Sequence, residues 1–162
     1  MIRLNDQAIF VADISLFYDY FSDDEQIINE VLRILDYLKY RKFNKQIYLP
    51  TSLYNKVDKL FGQLKYDEES YRYFKNYFDK SDSVDPHENV IDEIFLLCRL
   101  LKAIYEKVYV ISNSIHGDSK FLHKMESLGV QVFTVHEAYS YVWSKKDFRD
   151  YMETYIKNKL KI

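Results

Sequence analysis

The chain has 162 residues, 48% hydrophobic and 30% charged, which suits one folded domain with a real core and excludes a disordered segment. Its formal net charge of −2 makes no bulk electrostatic demand for a nucleic-acid partner. The single cysteine allows no internal disulfide and fits a reducing cytoplasm; no apolar run approaches the roughly 20 residues needed to span a membrane, and no secretory signal is expected at "MIRLNDQAIFVADI".

Residues 8–14, "AIFVADI", read as a short buried strand ending at Asp13. From Asp23 or Asp24 to about Arg41, apolar residues such as Ile27, Val31, Leu35 and Leu38 recur at helical spacing, with Ser22 and the acids after it at the start. "KQIYLP" is a second strand closed by Pro50, and Thr51 or Ser52 caps a helix through "LYNKVDKLFGQL". Residues 67–80 read as a tyrosine-rich amphipathic helix, followed by the loop-like "DKSDSVDP". A helix from Pro86 or His87 to about Tyr105 carries Ile94, Leu97, Cys98 and Leu101 on its apolar face, which makes Cys98 a core residue. Strand "VYVIS" follows, then helix "SKFLHKMESL", which stops at Gly129, a natural residue for a helix end. Strand "VQVFTV" comes next, and a last helical part covers residues 136–160, with Trp143 as its anchor. No repeat or low-complexity linker interrupts residues 1–162, so one domain is expected.

Strands alternating with helices imply an α/β fold with a mainly parallel sheet covered on both faces, a three-layer α/β/α sandwich. Ligands of such sheets gather outside the carboxyl ends of the strands. Asp13 sits at such an end, where burying a carboxylate costs free energy unless it is paired or binds a metal. Asp92 and Glu93 lie in the first turns of the long helix, and Asp118 lies in the loop after "VYVIS". Carboxylates without cysteines or a His-x3-His spacing favour hard cations such as Mg²⁺ or Mn²⁺, which activate water and neutralise a leaving oxygen in phosphodiester hydrolysis. Charge is unevenly spread: residues 33–45 are basic, residues 67–93 acidic and the region from Trp143 to Ile162 basic again. His116 and His123 read as surface residues, and no nucleophile elbow or P-loop is present.

In this order of elements the chain resembles the PIN-like nuclease domains, which include toxin ribonucleases. "VADISLFYDYF" looks like the family's first strand, with Asp13 as its leading metal-binding aspartate. "NVIDEIFLLCRLLKA" looks like the helix bearing a further acid, Asp92 being the best match and Glu93 the next. "VYVISNSIHGDSKFLHKMESLGVQVFTVHEA" is similar to the closing strand–loop–helix–strand. The resemblance implies an Mg²⁺- or Mn²⁺-dependent endoribonuclease that leaves a 5′-phosphate and a 3′-hydroxyl. Asp13, Asp92 and Asp118 would hold the metal, with Glu93 or Asp58 completing the set. Ser15, Asn113 and Ser114 are candidates for contacting RNA, and Lys39, Arg41 and Lys42 for neutralising its backbone. Relatives also suggest an antitoxin-like inhibitory partner and a homodimer. Two positions depart from the pattern: Asn55 or Lys56 stands where a glutamate is usual, and Ser112-Asn113-Ser114 stands where an aspartate normally ends the third strand. These departures define the alternative, a degenerate PIN-like module that binds RNA or a protein without cutting. A third reading is an unrelated doubly wound protein with Asp13 in a phosphotransfer or regulatory role.

Overall fold

The computed structural model describes residues 4–41, 47–63, 78–81, 90–113 and 119–160, with the backbone alone for some of them. In chain order they form β1 (Leu4–Ala12), α1 (Ser15–Tyr20), α2 (Glu25–Arg41), β2 (Ile47–Pro50), α3 (Thr51–Gln63) and β3 (Phe78–Ser81). Then come α4 (Val90–Lys102), β4 (Tyr105–Ile111), α5 (Ser119–Ser127), β5 (Gln131–Phe133), α6 (Val135–Trp143) and α7 (Lys146–Leu160). The five strands make one parallel sheet in the order β3-β2-β1-β4-β5.

Helices cover both faces of this sheet, and the period-2 alternation of β1, β2, β4 and β5 feeds two separate cores. Phe10 and Ala12 of β1, Ile47 and Leu49 of β2 and Ile111 of β4 join Val31, Ile34 and Leu35 of α2, Leu53 and Val57 of α3, and residues of α6 and α7. On the other face, Ile9 and Val11, Tyr48, and Val108 and Val110 meet Ile94, Leu97, Cys98 and Leu101 of α4 with Phe121 and Met125 of α5. The three-layer α/β/α sandwich expected from the sequence is therefore present. Among the described residues no helix is long and apolar enough to cross a membrane.

Local signals end most elements where the sequence places them. Asp24 starts α2 by accepting hydrogen bonds from the Gln26 N–H at 2.9 Å and the Ile27 N–H at 3.4 Å. Gly129, at φ +74°, closes α5: its N–H reaches the Glu126 carbonyl at 2.9 Å, and the Val130 N–H reaches the Met125 carbonyl at 2.9 Å. Burial of Cys98 raises its thiol far above the usual range, so it stays protonated as a core residue.

Three elements differ from expectation. Ser15–Tyr20, within the stretch "VADISLFYDYF" that resembles a first strand, forms the short helix α1, started by the Asx turn in which Asp13 accepts the Ser15 N–H. Residues 78–80, expected to finish a tyrosine-rich helix, belong to β3, which pairs with β2 from Ile47↔Phe78 to Pro50↔Ser81. Pairing with an adjacent strand overrides a helical spacing of aromatics there; the rest of that expected helix lies outside the described residues. The last helical part is two helices. Thr134 and Glu137 form a reciprocal capping box that starts α6, and the chain breaks at Ser144–Lys145. The break lets Trp143 meet Phe148 edge-on at 6.0 Å, while Phe148 meets Tyr37 edge-on at 5.4 Å, so α7 folds back onto α2. Trp143 thus anchors α7.

At Gly129 an added Cβ would meet only Lys102 atoms at 3.5 Å, an ordinary contact, so the cost of a side chain there is conformational. Gly129→Ala is expected to lower stability by about 1–2 kcal/mol, the penalty for the left-handed conformation, measured as a drop in the urea midpoint with unchanged m-value.

Candidate functional site

From β1 the chain steps outward through β2 to β3, then returns across the sheet through α4 to β4 and continues to β5. The order therefore reverses between β1 and β4, and the crevice outside their carboxyl ends is the switch point where open parallel sheets bind ligands. Asp13 directly follows β1, and Ser112 and Asn113 directly follow β4. Ladder hydrogen bonds run one residue past both strands: the Asp13 N–H to the Ile111 carbonyl at 3.2 Å, and the Ser112 N–H to the Phe133 carbonyl at 2.8 Å. Both side chains are thereby fixed at the sheet edge.

Asp13 is only 4% exposed. Its Oδ1 accepts the Ser15 N–H at 2.8 Å, an Asx turn that launches α1. Its Oδ2 accepts the Ser112 hydroxyl, which is itself fully buried. A buried carboxylate without such donors would carry a heavy desolvation cost. The switch point is therefore bridged by a hydroxyl–carboxylate bond between residues 99 apart in the chain.

A second buried acid faces the same edge. Glu93 on α4 is 1% exposed, and its Oε1 accepts the Ser52 hydroxyl at 2.7 Å. Ser52 lies in the first turn of α3, just past the carboxyl end of β2, so the bond draws Glu93 to that end. Asp92 is exposed. Successive helical residues diverge by about 100°, so only one of this pair can face the sheet, and Glu93 does.

Asn113 braces the crevice. Its N–H donates to the buried Ser15 hydroxyl at 3.1 Å, its Nδ2 donates to Asp19 Oδ2 at 3.0 Å, and its Oδ1 accepts the Val135 N–H at 3.0 Å. One amide thus ties the end of β4 to α1 and to the start of α6. Ser15 and Asn113 stand beside Asp13, and both take part in these bonds.

Other sequence candidates lie apart from this group or beyond description. Asp58 is half-buried on α3, about 120° around the helix from Ser52, and Asn55 is exposed. Lys39 and Arg41 lie in the last turn of α2, their side chains outside the described residues, as are Lys42, Ser114, His116 and Asp118. His123 is exposed on α5. Sequence reasoning missed Ser52, whose hydroxyl reads as a helix cap and reveals nothing of a partner 41 residues away. It also missed Asp19, an acid on a short helix with no distinguishing neighbour. Ser112 was noted only as the residue replacing an acid, although a hydroxyl donor is what a buried aspartate requires.

Among the described residues no three acids, histidines or cysteines form a ready-made cation cluster. Asp13 and Glu93 nevertheless offer oxygen donors at one edge, and Mg²⁺ commonly takes one or two carboxylates with waters and substrate phosphates completing its shell. The oxygen donors of these two acids fit a hard cation.

No family model matches the chain, and no curated protein matches it. Among solved structures, a mutant of Rae1 (YacP) from Bacillus subtilis is similar with a TM-score of 0.49 and 10% sequence identity, over 95% of this chain and 83% of that one.

Ser112→Ala leaves the buried Asp13 Oδ2 without its hydroxyl donor. The expected loss is about 1–3 kcal/mol in urea unfolding. In a double-mutant cycle with Asp13→Asn, the two losses should be clearly non-additive, because they report one interaction.

Proposed function

We propose that the chain is a PIN-like domain that acts on RNA at the carboxyl edge of its sheet, as an Mg²⁺- or Mn²⁺-dependent endoribonuclease. One observation carries this reading: two buried carboxylates, Asp13 and Glu93, are each held by a hydroxyl at the carboxyl ends of adjacent strands beside the switch point. The parallel three-layer sandwich is the fold such a domain needs. Asp13 and Glu93 would hold the cation, with Asp118 a third ligand on the strength of the sequence resemblance. The metal would supply activation of water and neutralisation of the leaving oxygen. The chain's own part is to orient both carboxylates: Ser112 and the Ser15 N–H fix Asp13, and Ser52 fixes Glu93. Asn113 keeps α1 and α6 in place around the crevice. Lys39, Arg41 and Lys42 would attract the phosphate backbone, which makes binding weaken as salt rises.

A second reading, RNA binding without cleavage, is favoured by the hydroxyl of Ser112 on Asp13, where a cleaving site would bring a further acid. The two are separated by incubating purified protein with labelled single-stranded RNA in Mn²⁺, Mg²⁺ or EDTA. Cleavage that needs metal and falls to the EDTA level in Asp13→Asn is the expected result. Glu93→Gln should slow it more than Asp92→Asn, because Glu93 is the buried member of that pair. Salt-sensitive retention of RNA by folded protein, with no cutting in either metal, would transfer the assignment to the binding module. Neither cutting nor retention would remove RNA from the account.

A further inference from the structure

Three rings run down one side of α6. His136, Tyr139 and Trp143 fall within about 60° of one another around the helix, and lie on average about 100° from the buried Val135, Ala138 and Val142. Tyr139 and Trp143 are half-buried and pack against the core that α6 shares with α2, while His136 is exposed. Successive ring centroids are 6.1 Å and 6.3 Å apart, and the planes of Tyr139 and Trp143 differ by 13°. At that separation near-parallel rings are not superposed face to face, so neither covers the other. The head of the row is fixed. His136 Nδ1 is hydrogen-bonded at 2.8 Å to Oε1 of Glu30, a buried carboxylate of α2, while 68% of the His136 side chain stays open to solvent. The one acid of α6, Glu137, is turned about 130° from the row, and its side chain accepts the Thr134 N–H.

We propose that this side of α6 is a track for an unpaired RNA strand, its bases laid against His136, Tyr139 and Trp143. The proposal rests on the reading of the chain as a domain that acts on RNA. The row connects the two places where that reading puts the strand. His136 follows Val135, whose N–H is held by Asn113 Oδ1 at the crevice. At the other end Trp143 meets Phe148, and Phe148 meets Tyr37, two residues before Lys39 in the basic last turn of α2. A strand leaving the crevice along the row therefore arrives at cations that match its phosphates. Every base has a ring face, so such a row holds a strand without reading its sequence. Steps of 6.1 Å and 6.3 Å are nearly twice the roughly 3.4 Å rise of one strand of a double helix, so the row suits bases drawn out of their own stack. A protein partner fits less well, because the row is one ring wide and bordered by the exposed, polar Glu137 and Ser140.

Trp143 is the chain's one tryptophan, so its fluorescence reports on the row directly. A short oligouridylate is added to the full chain in EDTA, which prevents metal-dependent cutting, and retention of the strand is measured in parallel. Quenching that saturates together with retention is expected from the single strand, and far less from the same strand paired with oligoadenylate. Tyr139→Leu, which keeps an apolar side chain against the core, is expected to weaken retention about tenfold, the scale of one lost base stack, whereas Tyr139→Phe keeps it. Circular dichroism checks that both variants fold. Retention without quenching, equal quenching by the duplex, or a folded Tyr139→Leu that binds like wild type overturns the track and leaves the RNA reading standing. No retention of any RNA overturns the track together with that reading, and leaves the row to a protein partner.

Discussion

Everything in this fold hangs on the burial of β1 from both faces. Ile9 and Val11 enter one core and Phe10 and Ala12 the other, so no position from residue 9 to 12 can carry a polar side chain without loss. The first residue released from that constraint is Asp13, at the carboxyl edge. Neighbouring strands obey the same rule and release polar side chains at the same level. Ser52 follows β2, and Ser112 and Asn113 follow β4. A cluster of polar groups at one edge is thus a geometric consequence of a doubly covered parallel sheet.

What distinguishes this edge is how its acids are held. Asp13 and Glu93 are both nearly inaccessible, and each accepts a serine hydroxyl from a neighbouring strand end. Neutral donors satisfy a buried carboxylate without cancelling its charge, whereas a lysine or arginine in their place would form an ion pair and neutralise it. At this edge each acid is oriented by a hydroxyl rather than by a cationic side chain.

Much of this was legible in the sequence. The apolar runs "IFVA" and "VYVI" could serve only as doubly buried strands, Gly129 marked the end of α5, and Asp13 stood out as an acid directly after such a run. What was not legible depended on partners distant in sequence. β3, with the polar sequence "FDKS", is an edge strand defined by its pairing with β2, and edge strands tolerate polar residues that a central strand cannot. The choice between Asp92 and Glu93 rests on how α4 is rotated against the sheet, which adjacent acids cannot reveal. Trp143 and Phe148 meet across the break at Ser144–Lys145, where the sequence offers neither glycine nor proline as a signal.

The strand order also sets a timetable. β1 emerges first during synthesis, yet the longer of its two ladders, to β4, cannot form until residues 105–111 are made. The Asp13–Ser112 bond spans 99 positions, and Ser112 is itself fixed by Phe133. At a synthesis rate of about 5–20 residues per second, the central strand waits roughly 5–20 s for its second neighbour. Through that interval one apolar edge of β1 has no native partner, so the nascent chain is at its most adhesive before β4 is complete. The switch-point crevice is among the last features to exist, because a chain stopped short of Phe133 has the first acid but not the walls that orient it.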